Sequence, residues 1–318
     1  MSTANPVAQL EEGLQLLAGP NTPSAVTRGL ALVDSAAAAG HPDAIARRAL
    51  FECVGLGRQR DWSKALDSLA RAAELGSRAA AHQLELLADQ PIDDVPAAGR
   101  ATAYGDLRAR ISTAQLLEAH GAHMLSRDPL VLSLNSIATP GQCRWLIELA
   151  RPRLERALLA TNPPRPDPAR TNQSASFRIA HLDLVVEAIR TRIANAISVS
   201  TSALEVSQVL HYNRGDQFAL HCDFLDPAMK RDQIAAAGQR KTTVIVYLND
   251  DFEGGETSFP DLAIMHRGEV GDALAFMNLD RTGQPDLRTK HAGLPPTSGE
   301  KWVFSQWVRN RASAGVRA

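Results

Sequence analysis

The side chains best suited to chemistry are two histidines, an aspartate and a lysine in the second half of the chain. His221 and Asp223 are separated by a single residue, and His291 and Lys301 follow in that order. Two histidines and one carboxylate that leave coordination positions open are the ligand set of a non-haem Fe(II) centre. A lysine downstream of the second histidine supplies the cation that an acidic co-substrate of such a centre needs. The pattern therefore predicts a metal site at His221, Asp223 and His291, with Lys301 beside it.

These residues fall in segments that predict short β-strands, in which side chains alternate between two faces. In the segment 217–224, His221 and Asp223 are expected to point the same way. The opposite face of that segment is apolar and is expected to pack into the core: Phe218, Leu220, Cys222 and Phe224. Lys301 directly precedes the last predicted strand, 302–308, and lies on an apolar face of it. Because a lysine in such surroundings is partly desolvated, it needs an anionic partner.

The composition argues against several classes of protein. The chain has 318 residues with 34 Lys+Arg and 35 Asp+Glu, so it lacks the positive charge typical of proteins that bind nucleic acid or anionic membranes. Its three cysteines, Cys53, Cys143 and Cys222, are too few and too scattered for a disulfide framework. No apolar run approaches a membrane span, and the first residues lack the features of a signal peptide. We therefore expect a soluble cytoplasmic protein that binds neither nucleic acid nor membrane.

Residues 7–90 are rich in Ala, Leu, Gln and Glu, a composition that favours helix, and glycines stand where helices would end. This segment also repeats itself. Aligning Gly40 with Gly76 superposes Val33 on Leu69, Ala36 on Ala72, Ala37 on Ala73, Ala44 on Ala80 and Leu50 on Leu86. Small residues at matched positions let paired helices approach closely. The pattern resembles tetratricopeptide-related repeats of the Sel-like class; the alternative is an ordinary helical cap on the second domain.

The length and these patterns predict two domains with a connection between them. Residues 1–92 are the expected helical repeat domain, residues 93–125 a linker and bridging helix, and residues 126–318 the second domain. The prolines and glycine of 91–104 indicate the linker, and the segment from Asp106 to Met124 the bridging helix.

The second domain combines a few helices with a run of strands. Thr139 is predicted to cap a helix that has Pro140 at its first position, and another helix is predicted over about Leu182 to Ala196. The predicted strands are short: 130–134, 206–212, 217–224, 242–248, 273–277 and 302–308. Helices followed by a run of strands suggest an antiparallel sandwich or barrel.

Further motifs surround the three predicted metal ligands and Lys301 in a fixed order. They are Tyr212-x-x-Gly215, His221-x-Asp223, Arg240 with Thr243, Tyr247-Leu-Asn249, Gly254-Gly-Glu-Thr-x-Phe-Pro260, Gly271-Asp-Ala-Leu-Ala-Phe276, His291-Ala-Gly-x-Pro295, and Gly299-x-Lys301-Trp302 with Trp307-Val-Arg309. This series closely resembles the catalytic domain of the prolyl 4-hydroxylases, members of the Fe(II)/2-oxoglutarate dioxygenases. The resemblance runs from about Pro129 to Asn310.

The resemblance implies a double-stranded β-helix, or jelly roll, flanked by helices and following the all-helical N-terminal domain. It implies that His221, Asp223 and His291 bind Fe(II). It also implies that Lys301 pairs with the distal carboxylate of 2-oxoglutarate in a pocket lined by Tyr212 and Thr243. O₂ is the implied second co-substrate and L-ascorbate an expected accessory reductant. The implied reaction couples conversion of 2-oxoglutarate to succinate and CO₂ with hydroxylation of a prolyl residue in a peptide or protein. A separate hypothesis is that the N-terminal repeats help to present this substrate.

Two positions differ from the usual pattern of that family. Phe218 stands where a tyrosine is common, three residues before the first iron histidine, and Met277 stands where a tryptophan is common. Neither position carries an iron or 2-oxoglutarate ligand. The same chemistry on a small molecule or another side chain therefore stays open as an alternative. So does a scaffold in which the repeats bind a partner and the oxygenase domain is degenerate, although the intact ligand set and lysine argue against it.

Overall fold

The computed structural model describes residues 5–19, 22–91, 100–158 and 167–312. Most of the predicted linker, 91–104, lies outside these ranges. No helix within them is both long and apolar enough to cross a membrane.

The described residues divide into two compact units. The first contains those up to Glu118 together with Arg178–Thr191, and the second contains those of Ala119–Phe177 and those from Arg192 onward. The segment Arg178–Thr191 thus belongs with the N-terminal helices, although it lies within the part of the sequence that holds the strands.

The first unit is helical, and its helices begin where the sequence supplies caps. The helices are α1 (Pro6–Ala18), α2 (Pro23–Ala38), α3 (Pro42–Val54), α4 (Trp62–Glu74), α5 (Arg78–Ala88), α6 (Arg100–Arg110) and α7 (Thr113–Leu116). The N-cap side chains of α1 to α5 each accept a hydrogen bond from a first-turn amide: Asn5, Thr22, His41, Asp61 and Ser77. Proline opens α1, α2 and α3, where its missing N–H costs no hydrogen bond. The prediction of helices over 7–90 is confirmed.

The two aligned turns of this unit have the same geometry. Gly40 and Gly76 adopt the left-handed backbone, with φ of 85° and 99°. In both turns the next amide donates back to an alanine carbonyl, from His41 to Ala36 at 3.1 Å and from Ser77 to Ala72 at 2.9 Å. The matched small residues are buried on both sides of the alignment: Ala36, Ala37 and Ala44, and Ala72, Ala73 and Ala80. The assignment to the Sel-like class stays a prediction.

The second unit is built mainly from strands. They are β1 (His120–Arg127), β2 (Leu130–Asn135), β3 (Glu155–Arg156), β4 (Gln173–Phe177), β5 (Ser207–Tyr212), β6 (Phe218–His221), β7 (Arg240–Tyr247), β8 (Glu253–Gly254), β9 (Thr257–Phe259), β10 (Ile264–His266), β11 (Ala273–Met277), β12 (His291–Gly293), β13 (Pro296–Ser298) and β14 (Lys301–Arg309). The helices that contribute to this unit are α8 (Pro140–Ala150), the end of α9 (Leu184–Ala196) and α10 (Arg231–Ala237).

The strands form antiparallel sheets that enclose one core. An eight-stranded sheet has the order β1-β2-β11-β7-β14-β5-β4-β3, a four-stranded sheet has the order β10-β9-β12-β6, and β8 pairs with β13. The core takes large residues from both larger sheets: Val131, Leu210, Tyr212, Tyr247, Phe259, Leu274, Phe276 and Val303. Phe259 and Phe276 meet edge to face between the sheets, with ring centroids 5.0 Å apart. Two antiparallel sheets around one core confirm the predicted jelly roll that follows a helical region.

Most of the local predictions for this unit are confirmed. Thr139 caps α8 through a reciprocal capping box with Gln142, and Pro140 is the first helical residue. All six predicted strands are present, although the strand predicted over 217–224 is reduced to Phe218–His221.

The predicted bridging helix from Asp106 to Met124 is wrong in its second half. Helix α6 ends at Arg110, α7 covers only Thr113–Leu116, and His120–Arg127 is strand β1, paired with β2. Gly121 has a φ of 29°, which a right-handed helix does not allow. Pairing with a strand further along the chain therefore overrides the local preference for helix in this segment.

Candidate active site

Strand pairing brings His221 and His291 together. His221 ends β6, His291 begins β12, and the two are direct partners in this antiparallel pair. Their Nδ1 atoms lie 2.8 Å and 3.0 Å from the carbonyl oxygens of Ala219 and Thr289. When each Nδ1–H donates to its carbonyl, each Nε2 keeps a lone pair that can bind a metal.

Asp223 completes the cluster just beyond the end of β6. Its Oδ1 lies 3.5 Å from Nε2 of His221, and its Oδ2 lies 3.7 Å from Nε2 of His291. One ligand atom from each residue lies within 4.8 Å of the others, and in the described part of the chain no other such group of His, Cys, Asp or Glu occurs. Two imidazole nitrogens and one carboxylate oxygen are the donor set of non-haem Fe(II), so these residues fit that metal.

The protonation states of the cluster also suit a metal. Burial alone would raise the pKa of the Asp223 carboxyl, but the neighbouring His221 and His291 outweigh it and hold that pKa well below its usual range. Burial, reinforced by His221, lowers the pKa of His291 to about 4. An ionised carboxylate and a neutral imidazole are the forms that bind a metal cation.

The cluster lines a cavity in the second unit. The walls come from both larger sheets and include Leu210, Tyr212, Ile245, Thr257, Val303 and Trp307. Lys301 lines the same cavity as His221, Asp223 and His291. A mostly apolar cavity with a few convergent polar groups is typical of a small-ligand site.

Lys301 is a buried cation in this cavity. It begins β14 directly opposite Tyr212 of β5, and only 2% of the residue is exposed. Its Nζ donates to the carbonyl of Gly255 at 2.6 Å and lies 5.3 Å from the Tyr212 ring centroid. Burial lowers the pKa of the ammonium to about 8, although Glu256 opposes the shift. Because a neutral carbonyl does not balance the charge, the site calls for an anion.

Gly255 permits the close approach to Lys301. Its φ is 68°, in the left-handed region that glycine tolerates without strain. A Cβ at this position would lie 3.0 Å from the ring of Phe252 and 3.4 Å from Cδ of Lys301. The two glycines of the sequence motif that begins at Gly254 therefore shape the turn that directs a carbonyl at the ammonium.

Thr243 on β7 contacts the aspartate of the cluster. Its hydroxyl donates to Oδ2 of Asp223 at 2.7 Å, and the side-chain amide of Asn278 donates to the hydroxyl oxygen at 3.0 Å. All three side chains are buried. The resemblance assigned Thr243 to the 2-oxoglutarate pocket; in the structure its hydroxyl bonds the carboxylate, while Tyr212 lines the cavity beside Lys301.

Phe218 lies on the cavity side of β6, contrary to the predicted alternation of this strand. Its ring stacks on His221 with centroids 3.5 Å apart and an interplanar angle of 12°. The register of β6 against β12 shifts between His291 and Gly293, so residues three apart on β6 face residues two apart on β12. This bulge brings Phe218 and His221 to one side, and Leu220 is 51% exposed rather than packed in the core.

Arg170 is a cavity residue that the sequence patterns did not indicate. It forms an isolated β-bridge with Phe218, and its guanidinium lies 4.5 Å from the centroid of that ring. Its nitrogens donate to Oδ1 of Asn172 at 3.2 Å and to the carbonyl of Leu158 at 3.3 Å. Burial lowers its pKa. Because Arg170 reaches the cavity only through long-range pairing, no local sequence signal marks it.

Arg240 and Arg309, the other arginines of the sequence motifs, are bound to a carboxylate. Arg240 donates to both oxygens of Glu205 at 2.9 Å and 3.0 Å, and Arg309 also pairs with Glu205. Arg240 stacks 3.8 Å from a ring centroid of Trp307, which lines the cavity. In the described residues, the cations that line the cavity are therefore Lys301 and Arg170.

Met277 lies outside the cavity that holds the cluster. With Thr242 it lines a separate groove. The hydroxyl of Thr242 lies 3.3 Å from its sulfur. The methionine at this position therefore does not line the site of the ligand cluster.

Comparisons with known proteins point in the same direction. Residues 207–309 match the family model of the 2OG-Fe(II) oxygenase superfamily. Prolyl 4-hydroxylase 1 of Arabidopsis thaliana is 30% identical over 210 residues, which are 60% of this chain and 72% of the relative. Prolyl 4-hydroxylase subunit alpha-2 of Caenorhabditis elegans is also 30% identical, over 61% of this chain, but the match spans only 36% of that subunit.

Solved structures include a similar protein of viral origin. The collagen prolyl hydroxylase of Paramecium Bursaria Chlorella virus-1, solved as a 2OG complex, is 25% identical, with a TM-score of 0.44. The similarity covers 56% of this chain and 95% of the viral chain.

Proposed function

The chain belongs to the Fe(II)- and 2-oxoglutarate-dependent oxygenases of the prolyl 4-hydroxylase type, and we propose that it hydroxylates C4 of a prolyl residue in a peptide or protein. Its co-substrates are 2-oxoglutarate and O₂. The balanced reaction converts 2-oxoglutarate, O₂ and a C–H bond into succinate, CO₂ and a C–OH group. The convergence of His221, Asp223, His291 and Lys301 on one cavity carries this proposal.

The three cluster residues are the proposed ligands of Fe(II). Two histidines and one carboxylate would leave coordination positions of the metal open to the co-substrates. The bound metal supplies the activation of O₂ that couples decarboxylation of 2-oxoglutarate to attack on an unactivated C–H bond. The protein fixes the geometry: carbonyl bonds hold the imidazole Nδ1 atoms, and Thr243 holds the Asp223 carboxylate.

Lys301 is the proposed partner of the distal carboxylate of 2-oxoglutarate. The ammonium is buried, donates to the neutral carbonyl of Gly255 and lines the cavity that contains the cluster. The distal carboxylate of a bound 2-oxoglutarate dianion would neutralise this ammonium. Tyr212, directly opposite on β5, supplies a wall of the same pocket and a phenol that burial keeps protonated by raising its pKa to about 12.

Arg170, Phe218 and Trp307 are the proposed contacts of the prolyl substrate. All three line the cavity, and the two aromatic residues give it an apolar wall suited to a pyrrolidine ring. The guanidinium of Arg170 can donate to a backbone carbonyl of a peptide. Such a hydrogen bond does not depend on the side chains of the peptide.

A second candidate is the same chemistry on a small molecule or another side chain. Phe218 favours it, because this ring lies flat on His221 and offers no hydroxyl to the substrate. The two candidates share the metal, 2-oxoglutarate and Lys301, and they differ only in what enters from the Arg170 side of the cavity.

Mass spectrometry of candidate substrates after the reaction separates them. The protein is incubated with Fe(II), 2-oxoglutarate, ascorbate and a synthetic proline-rich peptide, with an alanine-substituted peptide as the matched control. We expect a gain of one oxygen, located on proline by fragmentation, with one succinate formed per hydroxyl group. Succinate formed at the same rate with both peptides, and no oxygen on either, would overturn prolyl hydroxylation and favour the second candidate.

A further inference from the structure

The segment Arg178–Thr191 is held by the N-terminal helices of the first unit. It contains a short 3₁₀ turn, Ile179–His181, and the first residues of α9. Its apolar side chains are buried: Ile179, Leu182, Leu184, Val185, Val186, Ala188 and Ile189. The segment follows β4 directly in the sequence, so the helices bind a part of the chain that lies between strands.

Arg47 of α3 holds the start of this segment. Its Nη1 donates to the carbonyls of Ile179 and Leu182 at 3.3 Å and 2.9 Å, and its Nη2 donates to the carbonyl of Ala180 at 3.2 Å. The guanidinium therefore donates hydrogen bonds to three backbone carbonyl oxygens within one turn. A planar fork of donors suits this arrangement, and a lysine could not reproduce it.

Gln83 of α5 holds the beginning of α9. Its Oε1 accepts from the backbone N–H of Leu184 at 3.1 Å. The first amides of a helix have no partner within the helix. Gln83 thus satisfies one of them, while Asp183 caps another by accepting from Val186 at 2.8 Å.

Arg60, in the loop between α3 and α4, holds the far end of the segment. Its Nη2 donates to the hydroxyl of Thr191 at 2.9 Å and lies 3.6 Å from a carboxylate oxygen of Glu187. Its Nε donates to the carbonyl of Cys53 at 2.8 Å, which fixes the guanidinium to α3.

These contacts engage Arg47, Arg60 and Gln83, three polar side chains that the helices would otherwise offer to a peptide. We propose that the N-terminal helices are an internal clamp: the surface formed by Arg47, Arg60 and Gln83 binds the chain's own Arg178–Thr191 segment. Helical arrays present surfaces suited to extended peptides. Here Arg47, Arg60 and Gln83 already bind a segment of the same chain, so the helices stabilise the chain that leads from β4 into α9 and do not recruit the substrate through these side chains.

Hydrogen exchange of the full-length protein, read by mass spectrometry, tests the clamp. Arg47→Met and Gln83→Leu remove the donors and the acceptor at similar side-chain volume. We expect amides of residues 182–190 to exchange about tenfold faster or more in both variants, because their local opening becomes easier. Gln83→Glu keeps an oxygen acceptor and should leave exchange near the wild-type rate.

Arg71→Met is the matched control for the arginine substitution. Arg71 lies on α4 with 61% of its side chain exposed and pairs with Glu74. This variant should leave exchange in 182–190 unchanged. Unchanged exchange there in a folded Arg47→Met or Gln83→Leu protein would overturn the clamp. So would an equal rise over the whole chain, because the helices would then contribute only general stability.

A second arm tests whether the surface is closed to a substrate. A saturating synthetic proline-rich peptide is added to the wild-type protein. We expect no change of exchange in α3 and α5. Protection of α3 and α5 by the peptide would show that the helices recruit it, and the clamp would be wrong. This arm is separate from the proposed reaction, because it reads binding at the helices and not turnover.

Discussion

The hydroxyl of Thr243 donates a 2.7 Å hydrogen bond to the carboxylate of Asp223, and the amide of Asn278 donates to the same hydroxyl. The threonine can therefore offer its proton only in one direction, toward the proposed metal ligand. Such outer contacts orient a ligand before the metal arrives.

Thr243→Val removes this bond at nearly constant volume. We predict that affinity for Fe(II) falls by about 10- to 100-fold, because the carboxylate loses its orientation. Anaerobic titration with a competing chelator measures the change. Thr242→Val is the matched control, since Thr242 contacts Met277 and not the aspartate. Equal losses in the two variants would contradict the role of Thr243.

Lys301→Met should raise the KM for 2-oxoglutarate and leave metal affinity nearly unchanged. Loss of a charge-assisted pair in a dry pocket costs about 2–5 kcal/mol, which corresponds to roughly 30-fold or more. Lys301→Arg should restore binding only in part, because its planar fork is bulkier. Steady-state kinetics at varied 2-oxoglutarate measure both, with the exposed Lys241→Met as control. A normal KM in Lys301→Met would assign the carboxylate to another cation, such as Arg170.

The same substitution should stabilise the protein when metal and 2-oxoglutarate are absent. Burial lowers the pKa of Lys301 from an ordinary 10.5 to about 8. At neutral pH the buried ammonium therefore lowers the free energy of unfolding by an amount on the order of 3 kcal/mol. Between these two values the unfolded lysine keeps its proton and the folded one loses it, so the wild-type protein gains stability as pH rises. Thermal denaturation of Lys301→Met should give a higher Tm at pH 7. A lower Tm would show that another group of the protein already neutralises the charge of the Lys301 ammonium.

Binding of 2-oxoglutarate should weaken as pH rises above about 8. The pKa of Lys301 is about 8 without ligand, and a neutral amine does not attract the carboxylate. Below that pH Lys301 keeps its proton, so its titration should not change the KM for 2-oxoglutarate. Kinetics between pH 6.5 and roughly pH 9.5 follow the change. Lys301→Arg serves as control, because arginine stays charged and its weaker binding should not vary across the range.

Arg170→Gln should impair the peptide substrate selectively. Arg170 lines the cavity next to Phe218, and replacing it removes the proposed donors to a peptide carbonyl. We predict a rise of about tenfold in the KM for a proline-rich peptide, with the KM for 2-oxoglutarate unchanged. Arg156→Gln, at an exposed position on β3, is the matched control. If the KM values for the peptide and for 2-oxoglutarate rose equally, Arg170 would be assigned to binding of 2-oxoglutarate instead of the peptide.

The regular strands explain why much of the site could be predicted from the sequence. Lys301 and Trp307 share a face of β14 and both line the cavity, as simple alternation requires. Antiparallel pairing of two short strands places the two predicted histidine ligands, His221 and His291, side by side. Capping residues such as Thr139 also act locally, so the residue at which a helix begins can be predicted from the sequence.

Other features depend on contacts that the local sequence does not contain. A bulge between β6 and β12 places Phe218 beside His221, and alternation cannot foresee a register shift. Arg170 reaches the cavity through a bridge to Phe218. The segment Arg178–Thr191 belongs to the first unit because Arg47 binds its carbonyls, and nothing in its own composition indicates that. Strand β1 replaced a predicted helix for the same reason, since pairing with β2 decides it.

The measurement that tests the central claim most directly is Fe(II)-dependent formation of succinate from 2-oxoglutarate by the wild-type protein and by His291→Ala. His123→Ala is the control, because His123 is exposed and lies outside the ligand cluster. We predict turnover in the wild-type and His123→Ala proteins, and loss to the metal-free background in His291→Ala, with circular dichroism showing that the variant is folded. Wild-type turnover in folded His291→Ala would contradict the assignment of His221, Asp223 and His291 as the iron ligands.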